Sequence, residues 1–273
     1  MLPKVISGTS WVIALIVASL IIRPSYEAVS GYIGTFVTAA TIASIGIISL
    51  YHFINKRKHI FSKYHLYTLI ANIFSLYMFA KMAESVVDMD LVTNLDIWLN
   101  ERVTHLWSPQ LNEVMIFITN IASPLNLSLF SIFLLVVLFI KKKWYYSILL
   151  VTGMTGGVLF KLLIKFLMQR ERPLNALIEA SGYSFPSGHA TMAIIFFVTL
   201  LFAFKDEIKN SFLKLIFTGT TVLAFLLVGL SRVYLNVHWF SDVLAGFALG
   251  MFWLTLLVLV FQYIGLKTRK LFP

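Results

Sequence analysis

His238 and Asp242 stand four residues apart in the stretch SRVYLNVHWFSD, residues 231 to 242, which interrupts two strongly apolar runs. On a helix this spacing puts both side chains on one face. The carboxylate can then accept from one imidazole nitrogen and leave the other as a free lone pair, the arrangement of a nucleophile or a base. Arg232 precedes them as a cation for a bound anion. Such side chains cost kilocalories in hydrocarbon, so at membrane depth they persist where they face a cavity, a partner or a substrate. A plainer reading makes His238 and Trp239 interfacial anchors and Asp242 a helix cap.

Two further polar islands lie upstream. In KFLMQRERP, residues 165 to 173, a helix continuing through the stretch sets Lys165 and Arg172 two turns apart on one face before Pro173 ends it. The planar fork of an arginine suits two oxygens of one phosphate, and a lysine adds a compact charge. Taken alone, snorkelling at a helix end also accounts for both. In SFPSGHA, residues 184 to 190, Ser187 is placed as an N-cap, Gly188 lets the backbone approach an anion, and His189 falls in the first helical turn. Unpaired N–H groups and the positive end of the helix dipole make such a start a seat for phosphate, though capping alone explains the residues too. Lys161, one turn before Lys165, either deepens the basic wall or lines a wet cavity. Arg170 and Glu171 are expected to pair with each other.

The elements that must position these residues are membrane helices. Apolar residues make up 59% of the 273-residue chain and charged ones 12%, far from the soluble average. Apolar runs long enough to cross a bilayer occur near 5 to 22, 32 to 54, 66 to 86, 113 to 140, 144 to 164, 189 to 204, 212 to 230 and 240 to 264. The fourth is broken by Pro124 and the sixth is short. The first, preceded by Lys4, also admits reading as a signal sequence. The fold expected is all-α and integral to the membrane, with about eight spans.

Basic residues alternate between the runs. Fourteen of the 22 fall on one side, including Lys4, the cluster Lys56 to Lys63, Lys141 to Lys143, Lys205, Lys209, Lys214 and the C-terminal group. That side is predicted cytoplasmic with both termini. The net charge of +10 therefore reads as an orientation signal beside anionic lipid, not as a nucleic-acid footprint. The acidic stretch with Asp88, Asp90, Asp96 and Glu101, and the loops at 165 to 188 and 231 to 238, fall on the external or lumenal side. Leu91, Leu95, Trp98, Leu99 and Leu106 recur there at helical spacing and suggest an in-plane amphipathic helix. With no cysteine, disulfides, thiolate metal sites and cysteine nucleophiles are excluded, and no metal-ligand spacing is apparent.

All three islands share one side of this topology, so they can converge on one pocket. Phosphate is the guest their cations suit, and two histidines add what anion binding alone does not need. One can attack phosphorus and the other can protonate the departing oxygen.

Together the residues resemble a known family. Lys165 with Arg172-Pro173, then Pro186-Ser187-Gly188-His189, then Ser231-Arg232 with His238 and Asp242 are similar to the three signatures of the type 2 phosphatidic acid phosphatase superfamily. The similarity covers roughly residues 66 to 265, including FITNIASP at 117 to 124. It implies a six-helix catalytic core within 61–273 and leaves 1–60 as an additional N-terminal hairpin of two transmembrane helices with no assigned role. It also implies cleavage of a phosphate ester or diphosphate through a phosphohistidine, with no metal and no cofactor. His238 would be the nucleophile, Asp242 its orienter and His189 the general acid. Lys165, Arg172, Ser187, Gly188 and Arg232 would hold the phosphate oxygens. The substrate implied is a lipid phosphate monoester or diphosphate, such as a polyprenyl diphosphate, phosphatidylglycerophosphate or phosphatidic acid. The rival readings are a lipid phosphotransferase using the same phosphohistidine and a non-catalytic anion transporter.

Overall fold

The computed structural model describes residues 63–89 and 91–268; the runs at 5 to 22 and 32 to 54, with the proposed hairpin 1–60 and the signal-sequence alternative, lie outside the described residues. Among those described, the chain forms eight helices and no strand. They are α1 (Lys63–Asp88), α2 (Leu91–Thr104), α3 (Pro109–Ile121), α4 (Pro124–Ile140), α5 (Trp144–Met168), α6 (Gly188–Phe204), α7 (Ser211–Tyr234) and α8 (Phe240–Thr268). By length and composition α1, α5, α7 and α8 can each cross a membrane. The α3–α4 pair makes a fifth crossing if its 48° bend is counted within one span. The bend sits where Ser123 caps α4, accepting from the Asn126 N–H at 3.3 Å, and Pro124 opens the new helix because its missing N–H is no loss there. The break expected at Pro124 is thus a change of helix direction.

The innermost element is α6. Seventeen residues long, it is shorter than α5, α7 and α8, and Ala190, Ala193 and Ile195 within it are fully buried. Helices α5, α7 and α8 surround it, and α1 lies along α8. In lipid there is no hydrophobic force between apolar helices, so close association depends on small residues that let backbones approach. Gly246 and Gly250 of α8 serve that purpose. A Cβ on Gly246 would stand 2.6 Å from the Ser187 carbonyl oxygen, and one on Gly250 would stand 2.7 Å from that of Thr191. The same closeness lets the Ser187 N–H donate to the Asp242 carbonyl at 2.9 Å, which ties the first turns of α6 and α8 together.

The two ends of α6 define two polar ends of the bundle. Beyond Phe204, Glu207 bridges Lys141 at 3.0 Å and Lys143 at 2.9 Å, and Asp206 pairs with Lys214 at 2.9 Å. These pairs are exposed and each is worth little, but they put the residues of separate basic loops on one side. The islands at 165 to 173, 184 to 190 and 231 to 242 meet at the other end. Helix α2 covers part of that end. Its outward face carries Leu91 and Trp98, while its inward face packs Val92 and Val103 and also places Asp96, buried, and Asn100, which donates to Asn236 Oδ1 at 2.7 Å.

Because the Gly246 contact is with backbone, which cannot rotate away, Gly246→Ala is expected to destabilise the protein by about 1–3 kcal/mol. Thermal unfolding of the detergent-solubilised protein reads this as a lowered apparent Tm. Gly219→Ala on α7, where a Cβ meets nothing within 4 Å, is the control and should leave the Tm unchanged or slightly raised.

Candidate active site

Helix α5 stops at Met168, where Gln169 turns left-handed (φ 46°) and returns its N–H to the Lys165 carbonyl. Arg172 is therefore not two helical turns beyond Lys165 on one face, as the spacing suggests; it lies in the following loop. A different device brings the two together. Lys165 Nζ donates to the carbonyls of Tyr183 and, at 3.1 Å, Ser184. Arg172 donates to Gly182 at 2.8 Å, Ser181 at 3.0 Å and Tyr183 at 3.3 Å, and also to Val237. Both cations brace the carbonyls of 181 to 184, and Ser184 ties that loop back by donating its N–H to the Arg170 carbonyl at 2.8 Å.

Ser187 takes the extended backbone of an N-cap, yet its side chain makes no capping bond, contrary to the expectation from sequence. Its Oγ is buried without a protein partner, as is Arg232 Nε. Buried polar atoms are seldom left unpaired, and here both border the start of a helix whose first N–H groups have no intrahelical acceptor. Arg232 lies in the last turn of α7, is 5% exposed, and is steered by Thr119 of α3, whose Oγ1 accepts from Nη1 at 2.7 Å.

His238 lies in the turn between α7 and α8, not on a helix, but the four-residue spacing still pairs it with Asp242. Nδ1 is 3.3 Å from Asp242 Oδ2, and Nε2 is 3.3 Å from Arg172 Nη1. With Nδ1 protonated and donating to the carboxylate, Nε2 keeps a lone pair toward Arg172. The Trp239 N–H also donates to Asp242 Oδ2, at 3.0 Å, so the carboxylate caps the turn and orients the imidazole at once. Burial, then the nearby Arg232, Arg172 and Lys165, hold His238 well below the usual histidine range.

A cavity of about 1010 Å³ joins these groups. Lys161, Lys165, Arg172, His189, Arg232 and His238 all line it, with the Gly188 backbone beside them and, among the described residues, the exposed Glu179 as the one acidic lining residue. Apolar residues of α4 and α5 continue the wall, among them Leu135, Leu150, Met154 and Val158. Leu150 is about 22 Å from Lys165 along the helix axis, so the cavity is cationic where the islands meet and greasy along its length.

Every site residue expected from sequence reaches this region, with Asp242 behind His238 and Ser187 beneath the α6 start. The pairing expected of Arg170 with Glu171 is not made: Arg170 binds Asp96 and Asp242, each at 2.7 Å, and the Glu171 side chain is exposed. Thr119, Asp96 and Ser241 also escaped the sequence reading. Of these, Asp96 left a signal, an acidic residue on a helix whose other face is apolar.

Comparison with known proteins agrees with the fold. A family model described as the PAP2 superfamily matches residues 144–266. Phosphatidylglycerophosphatase B of Bacillus subtilis (strain 168) is 34% identical over 185 residues, 65% of this chain and 88% of that protein. Undecaprenyl-diphosphatase of Sulfolobus acidocaldarius is 30% identical over 135 residues, 47% of this chain and 61% of that one. Among solved structures, the transmembrane PAP2 type phosphatidylglycerolphosphate phosphatase from Bacillus subtilis superposes with a TM-score of 0.64 at 28% identity, covering 71% of this chain and 96% of that one. Aquifex aeolicus LpxE, at 23% identity and a TM-score of 0.50, shares the fold over 60% of this chain and 94% of its own.

The depressed histidine gives a direct expectation. In carbon-13 histidine-labelled protein, assigned by difference from His238→Ala, the His238 resonance should stay that of a neutral ring as pH falls past about 6.5, where an ordinary histidine is half-protonated. Removing a neighbouring cation with Arg232→Met should move its titration upward toward that value. A parent His238 titrating near 6.5 would contradict the placement of the three cations around it.

Proposed function

The chain belongs to the PAP2 superfamily, and from that premise we propose that it is an integral-membrane lipid phosphatase that cleaves a lipid phosphate monoester or diphosphate through a phosphohistidine on His238. The observation that carries the reading is the double engagement of His238. Its Nδ1 faces a carboxylate and its Nε2 points toward Arg172 in a cavity where four cations, Lys161, Lys165, Arg172 and Arg232, converge. The relatives named as phosphatases act, by those names, on phosphatidylglycerophosphate and undecaprenyl diphosphate, each a phosphate carried on a lipid.

The terminal phosphoryl group binds with its oxygens on Lys165, Arg172, Arg232, the Ser187 hydroxyl and the N–H groups at the start of α6. These donors stabilise the charge that spreads over the equatorial oxygens as the bond breaks. His238 Nε2 forms the new bond to phosphorus, and the bond from phosphorus to the leaving oxygen breaks. His189, made imidazolium by a proton that the charge of the bound phosphate stabilises, delivers that proton to the leaving oxygen, and Asp242 stabilises the positive charge that develops on the His238 ring. In the second step His189 takes a proton from water, the resulting hydroxide attacks phosphorus, and the P–N bond breaks to free phosphate and restore His238. The apolar wall along α4 and α5 suits the acyl or prenyl chain of the substrate.

Purified protein assayed without added metal against phosphatidylglycerophosphate, a polyprenyl diphosphate and phosphatidic acid should release inorganic phosphate from at least one without an added acceptor. His238→Ala should lower kcat by about 1000-fold or more while inorganic phosphate still binds. Release that requires an acceptor lipid would identify a phosphotransferase, and no release from any member of the panel would remove the catalytic reading.

The site is assigned to the external or lumenal face because the basic loops gather at the opposite end of α6. A cysteine placed at Ala180 should react with an impermeant thiol reagent from outside, and one at Lys142 only after permeabilisation. The reverse pattern would invert the topology.

A further inference from the structure

Arg170 and Arg172 are two residues apart and serve opposite sides of His238. Arg172 lines the cavity and approaches Nε2. Arg170 is absent from the cavity wall and binds carboxylates behind the imidazole. Its Nη1 donates to Asp242 Oδ1 and to Ser241 Oγ, both at 2.7 Å, and its Nη2 donates to Asp96 Oδ2 at 2.7 Å. Asp96 is fixed in turn. Its Oδ1 accepts from the Ser241 N–H at 2.8 Å, and its Oδ2 also accepts from the Ser241 hydroxyl. The guanidinium carbon lies 5.3 Å from the centre of the Trp239 ring, whose Nε1 donates to the Glu171 carbonyl at 2.9 Å. The side chains of both aspartates are wholly buried and that of Arg170 is 11% exposed.

We propose that Arg170 is a positioning residue for the His238–Asp242 pair, holding Oδ1 of the carboxylate so that Oδ2 remains on the imidazole, and that Asp96 of α2 is the anchor that holds Arg170 in turn. The inference rests on the catalytic reading of His238 and deepens it.

The division of oxygens is what gives the contact its consequence. A carboxylate free to rotate about its last torsion presents either oxygen to the imidazole, or both to other donors. Here one oxygen is taken by a guanidinium that is itself held by Ser241 and Asp96, so the other oxygen is left turned to the imidazole. The arginine also favours the charged form of the buried carboxylate beside a ring that must become positive when its far nitrogen bonds to phosphorus. Since α2 presents Leu91 and Trp98 outward and Asp96 inward, the helix covering the site is tied to the reacting pair through one guanidinium.

The test is a double-mutant cycle in detergent with one lipid phosphate substrate, reading kcat and KM separately. Arg170→Met should lower kcat about 100-fold and leave KM within about threefold, since the group touches no substrate. In the Asp242→Asn background the same change should cost less than about threefold, because its effect passes through the carboxylate. Arg170→Lys should recover about tenfold of the loss. Asp96→Asn, which preserves shape, should lower kcat about tenfold and likewise lose its effect beside Asp242→Asn; it decides the matter if Arg170→Met fails to fold. Equal losses in both backgrounds, a loss confined to KM, or no loss at all would overturn the inference. Turnover by the parent protein is scored separately and reports on the catalytic reading, whereas the relay is read only from ratios between variants.

Discussion

A charge at membrane depth must be balanced, and in this protein the balance is struck unevenly around one imidazole. Among the described residues the buried carboxylates Asp96 and Asp242 both lie behind His238, and Arg170 pairs with each of them there. Lys161, Lys165, Arg172 and Arg232 line the cavity with only the exposed Glu179 among them, so the front of the imidazole stays cationic. Had either aspartate faced the cavity, the cations would have spent themselves on internal ion pairs. Segregating the charges leaves a surplus that an entering phosphate can satisfy. The desolvated surroundings strengthen that attraction well beyond its value in water.

The fold supplies this segregation by bringing helix ends together. The C-terminal ends of α5 and α7 deliver Lys165 and Arg232, and the N-terminal starts of α6 and α8 deliver the backbone N–H groups and Asp242. Ends must meet closely for this to work, and the glycines of α8 permit it where any side chain would strike the α6 backbone. The loop at 181 to 184 is then pinned by the same cations that face the cavity. The proposed binding groups and the scaffold are thus partly the same residues, and removing one loosens the other.

What could be read from sequence follows a physical divide. The apolar runs from 66 onward, the break at Pro124 and the pairing of His238 with Asp242 depend on local composition and short spacings, and among the described residues they appear as helices, a bend and a contact, though His238 sits in a turn. The gathering of three islands was legible because charge alternation puts their loops on one side. Arg172 was misjudged because the left-handed turn at Gln169 ends α5 early, and no glycine or proline stands there to announce it. Ser187 fits a cap by position and type, while the capping bond is a matter of rotamer, which sequence does not carry. Arg170 was paired with its neighbour Glu171 because its true partners lie 74 and 72 residues away in sequence, on α2 and α8. Thr119 was invisible for the same reason: a lone threonine in an apolar helix gives no hint of the arginine it steers.

The proposed covalent step admits a direct chemical test. Rapid quenching of the protein with a lipid substrate carrying radiolabelled terminal phosphate, followed by digestion and peptide mapping, should recover an acid-labile, base-stable label on the peptide containing His238, and none from His238→Ala. Normal turnover with no trapped label at any time, or a label on a different residue, would contradict the assignment of His238 as the nucleophile.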